Sequence, residues 1–112
     1  VLVGESLAAN LVGMGRQAAL AQGNSRMAKI LADIPDYHAT PVEMAQMARE
    51  AGAKLLVYSH HVPSAQVGLP AYFAGVADVL GADRWVAGYD GLRIDLPVGS
   101  DEIRRSDLLP KP

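Results

Sequence analysis

Cysteine is absent from the 112 residues, which rules out disulfides and thiolate metal ligands and fits a reducing, cytoplasmic compartment. An excess of charge is missing as well. The formal net charge is −2 with acids and bases interspersed, so there is no basic stripe for nucleic acid and no polybasic membrane anchor. Any phosphate the chain handles must be held by local groups. No apolar run approaches the length of a transmembrane helix, no signal-peptide pattern is present, and there is no internal repeat or low-complexity segment. There is no initiator methionine either: Val1-Leu2-Val3 already reads as a strand, so the chain is expected to be a fragment or a processed product. A small complete domain with a trimmed terminus is the plainer alternative.

Half of the residues are hydrophobic, enough for one packed core. After the opening strand, Val1 to Gly4, the apolar period becomes helical through Leu7, Leu11, Met14, Ala18 and Ala21, with Ser6 as the expected cap and Gly23 as the stop. A second helix is expected from Ser25 to before Pro35. Thr40-Pro41-Val42-Glu43 spells a capping box with proline at the first helical position, so a third helix starts there and Gly52 ends it. Leu55 to Ser59 is a buried strand by composition, and Pro70 opens a fourth helix that closes at Gly81. Arg84 to Gly88 and Leu92 to Leu96 flank Asp90-Gly91, a dipeptide suited to a tight hairpin. Residues 98–112 read as a poorly ordered arm or surface strap. The order predicts an α/β fold, with a short parallel sheet and an antiparallel edge.

The three histidines lie in two short stretches, and this is where chemistry is expected. If the strands at Val1 to Gly4 and Leu55 to Ser59 run parallel, Glu5 and His60 leave the sheet at the same edge, and the loop carrying His38 reaches it too. Glu5 beside His38 would orient the imidazole for proton donation. His60 is a candidate imidazole ligand for a metal, against the plain reading of a loop histidine that has found a hydrogen bond. His61 is expected to point to the opposite side of the strand. Gly13-Met14-Gly15-Arg16-Gln17-Ala18 has the letters of a dinucleotide fingerprint, but it lies inside a helical period and not between a strand and a helix.

Several ordered motifs in residues 1–97 bear a family likeness. They are Val1-Leu2-Val3-x-Glu5; the run from Ala28 to Ala45 with Asp36-Tyr37-His38-x-Thr40-Pro41-x-Glu43; Ala51-Gly52-Ala53-Lys54-Leu55-Leu56-Val57-Tyr58-Ser59-His60; and Gly88-Tyr89-Asp90-Gly91-Leu92. This order resembles the C-terminal half of metallo-β-lactamase-fold hydrolases of the ribonuclease Z-like branch, hence half of an αββα sandwich over residues 1–97, followed by the tail 98–112. The resemblance implies hydrolysis of a phosphodiester or related ester by metal-activated water. It implies zinc or manganese as cofactor, His60 as a metal ligand, and His38 as proton donor with Glu5 as its partner.

Two departures accompany it. The His-x-His-x-Asp-His motif is absent from these residues, and Gly4 stands where the family has the histidine of His-Glu-Ala. What is implied is half an active site, completed by a missing N-terminal half or by further copies in a homo-oligomer that covers the exposed sheet face. The competing expectation is a non-catalytic interaction or scaffold module.

Overall fold

The computed structural model describes residues 1–110 and has the element order β1 (Leu2–Leu7), α1 (Ala9–Ala21), α2 (Ser25–Asp33), a 3-10 turn (Ile34–Tyr37) and α3 (Pro41–Glu50). β2 (Leu56–Val62), a second 3-10 turn (Ser64–Gln66), α4 (Val76–Leu80), β3 (Trp85–Ala87), β4 (Leu92–Asp95) and β5 (Arg104–Asp107) follow. The fold is mixed α/β. β1, β2 and β3 form a three-stranded parallel sheet in that order, and β4 pairs with β5 in a separate antiparallel ribbon.

One face of the parallel sheet carries the core. Leu56 and Tyr58 of β2 pack there against Met44, Ala45 and Ala48 of α3 and against Val76 and Leu80 of α4. Tyr58 also donates a hydrogen bond to the Pro41 carbonyl at 2.5 Å, tying the strand to the start of α3. Gly4 lets that helix sit close: a Cβ at this position would run into the Met44 side chain. Leu2 and Gly4 pair with Leu56 and Tyr58, so Val3 and Glu5, paired with Val57 and Ser59, occupy the other face.

The start of α3 is as expected. Thr40 Oγ1 accepts from the Glu43 amide at 3.2 Å and Glu43 Oε1 accepts from the Thr40 amide at 3.2 Å, the reciprocal capping pair. α2 is capped by Asn24, whose Oδ1 accepts from the Met27 amide at 3.1 Å.

Four expectations are corrected. Ser6 is not the cap of α1: the strand runs on to Leu7, and the Ser6 side chain is wholly buried. The fourth helix is confined to Val76–Leu80, because Gly75 takes φ of 91° in the left-handed region and interrupts it, and Tyr72 is drawn to the end of the sheet by hydrogen bonds. The Asp90-Gly91 hairpin is not formed between its flanking strands. Leu92 N does bond the Tyr89 carbonyl at 3.1 Å, but β3 runs parallel to β2 and β4 turns away. The partner of β4 is β5, from the expected strap, and the Leu108 amide bonds the Gly91 carbonyl at 2.8 Å. The sheet is therefore not mixed, and its antiparallel pairing lies in the separate ribbon. Positions 111 and 112 of the strap lie outside the described residues. Among those described, no helix is long and apolar enough to cross a membrane.

Candidate functional site

Glu5, His38 and His60 meet at the carboxyl end of the parallel sheet, each delivered by a different segment. Glu5 comes from β1, His38 from the loop between the 3-10 turn and the Thr40 cap, and His60 from β2. His38 Nδ1–H donates to Glu5 Oε2 at 2.7 Å, and the Ala39 amide donates to Glu5 Oε1 at 2.8 Å. A carboxylate only accepts, so the proton sits on Nδ1 and Nε2 is the working nitrogen of His38. These two bonds, that from His38 first, hold the Glu5 carboxyl below its ordinary pKa against the small opposing effect of burial. The Leu7 amide to Ala39 carbonyl bond, 3.0 Å, fixes the loop to β1 beside the pair.

His60 arrives by an irregularity that periodicity alone does not reveal. Glu5 pairs with Ser59 but Ser6 pairs with His61, so His60 is an extra residue, a bulge in a parallel pair. Its φ is 49°, the only positive φ outside glycine among the described residues. The bulge swings its ring outward, with Nδ1 4.0 Å from Glu5 Oε2 and the ring 5.8 Å from that of His38 at an interplanar angle of 19°. Among the described residues it makes no hydrogen bond, and its side chain is 66% exposed.

His61 does not join this group. Its Nε2–H donates to the Gly88 carbonyl at 2.8 Å, leaving Nδ1 to accept from the buried Ser6 hydroxyl at 2.7 Å. The Tyr72 hydroxyl lies 3.3 Å from Ser6 Oγ and donates to the Ser6 carbonyl at 2.7 Å. This network pins the ends of β1, β2 and β3 just beneath the rim. Sequence reading missed Ser6 and Tyr72. The signal available was Ser6 following Glu5 in unbroken strand alternation.

Glu5, His38 and His60 each offer one ligand atom, all within 4.8 Å of one another. The Glu5 oxygens already accept two hydrogen bonds, which leaves His38 Nε2 and His60 as donors when the pair is intact. A catalytic zinc takes three protein ligands and a structural one four. The group could hold a metal ion, but these residues by themselves fall short of a firm site.

On the open sheet face beside His60 lies a pocket of about 360 Å³, floored by Val3 and Val57 and walled by Leu92 and Ile94 of β4. The chain has no significant match among family models, curated proteins or solved structures.

Proposed function

We propose that the Glu5–His38–His60 rim is part of the active centre of a hydrolase acting on phosphodiesters or related esters in the cytoplasm. In this reading the chain is half of a metallo-β-lactamase-like sandwich. Glu5 holds His38 by Nδ1, and Nε2 gives a proton to the departing oxygen. His60 is assigned as a ligand for zinc or manganese, whose other donors come from a second polypeptide, either another copy or a chain bearing the absent histidines. Such an ion supplies, when bound, a water acidic enough to attack at neutral pH.

The observation that carries this reading is the Glu5–His38 contact, 2.7 Å, with the second carboxylate oxygen anchored on the Ala39 amide. A surface ion pair needs no such double anchorage, whereas a proton donor that must point one nitrogen outward does. The strained backbone of His60 supports the same view, since outliers of this kind concentrate where a side chain must be aimed.

The short donor set favours a second reading, a non-catalytic scaffold module. Elemental analysis combined with hydrolysis of bis(4-nitrophenyl) phosphate separates the two. Hydrolysis that falls on chelation, with metal content lost in His60→Ala, supports the hydrolase. A folded, metal-free protein that is inert even when zinc or manganese is supplied supports the scaffold.

A further inference from the structure

The pocket beside His60 has a polarity gradient along the strands. Ser59 and His60 lie toward the carboxyl end of β2, at the bulge, while Val3, Val57, Leu92 and Ile94 line the side between the open sheet face and β4. In register Val3 pairs with Val57 and Glu5 with Ser59, so the apolar floor runs on the same face directly up to the carboxylate that holds His38. The volume of about 360 Å³ falls in the range of small-molecule sites. We propose that this pocket receives a compact apolar group of aryl size, carried by an ester whose polar centre lies at the His60 rim.

That such an ester is hydrolysed rests on the hydrolase reading; that it binds here does not. A ligand with an apolar body and a polar head matches a pocket whose floor is valine, whose wall is Leu92 and Ile94, and whose mouth carries imidazole, hydroxyl and the exposed Asp90. A ligand polar throughout would cover Val57, Leu92 and Ile94 without the gain that an apolar body makes there. An ester with only methyl substituents would leave the floor wet and gain little.

The test compares diphenyl phosphate with dimethyl phosphate by calorimetry on the full chain, with methyl chemical shifts locating the bound ring. Diphenyl phosphate is expected to bind at least about tenfold more tightly, from burial of one ring. The Val57 and Ile94 methyl signals should move while those of Val12 stay. Val3 is 63% exposed, so Val3→Asp leaves the fold intact. It should remove the preference, as should Val3→Phe, which fills the space with a ring of its own. Equal affinity for the two diesters, or a preference untouched by both variants, overturns the assignment. So does binding that weakens as protein concentration rises, because a second copy of the chain then occupies the face. A preference lost in Val3→Asp, in a protein that hydrolyses no diester with any metal, keeps the pocket and overturns the hydrolase reading instead.

Discussion

His60 sits in a backbone conformation that only glycine adopts freely, and its exposed ring has only the His38 ring and the Glu5 carboxylate beside it. A left-handed L-residue costs about 1–2 kcal/mol, whereas glycine adds about 0.5–1 kcal/mol of chain entropy on folding. His60→Gly is therefore expected to leave thermal stability unchanged or raise it by up to about 1 kcal/mol while it abolishes hydrolysis. A clear loss of stability would show the imidazole to be structural.

Glu5 gives a pH signature. Its folded pKa lies below the unfolded one, chiefly through the His38 bond, so its contribution is present above the unfolded value, about 4.3, and is lost as pH falls through the lower folded value. Glu5→Gln should flatten the acid limb of stability below about pH 4, measured by urea unfolding. An acid limb identical to wild type would mean that the pair is not formed in solution. At Gly4, α3 presses the end of the Met44 side chain onto the strand, so any larger residue there would require that side chain to shift.

At the level of elements, the parts that could be read from the chain were those governed by neighbours in sequence. The capping box needs only Thr40 to Glu43, and both of its hydrogen bonds are present. The meeting of Glu5, His38 and His60 was readable because a parallel crossover puts both strand ends on one edge. The rest depended on distant partners. Asp90-Gly91 signals a turn but not which strand follows it. Gly88 N bonds the Tyr58 carbonyl at 2.8 Å, extending the parallel pairing with β2, while β4 finds Arg104–Asp107, a polar segment without an alternating pattern. The bulge at His60 is equally invisible, since one inserted residue leaves composition unchanged. Below it, Ser6 joins three strand ends. Ser6→Ala should cost about 1–3 kcal/mol, because His61 Nδ1 loses its donor in a part-buried site. A variant as stable as wild type in urea would show that water replaces the hydroxyl.

As a whole the molecule is long and thin. Its radius of gyration is 16.0 Å and its extents are 57 × 33 × 21 Å, against about 13 Å for the radius of a compact chain of this length. α1 and α2 pack mainly on each other, and Met14, Leu20, Met27 and Ile30 of that pair are more than two-fifths exposed. Burying what remains exposed of each gains roughly half of the ~1.5–3 kcal/mol of a fully exposed side chain, so self-association is expected at tens of micromolar by sedimentation velocity, and monomer throughout would contradict it.

The rim itself is tested most directly by the rate of bis(4-nitrophenyl) phosphate hydrolysis in wild type and in His38→Gln, with zinc or manganese supplied and folding matched by circular dichroism. An oriented imidazole donor predicts a loss of about 10²–10⁴-fold in the variant. Equal, measurable rates in the two proteins would contradict the assignment of His38.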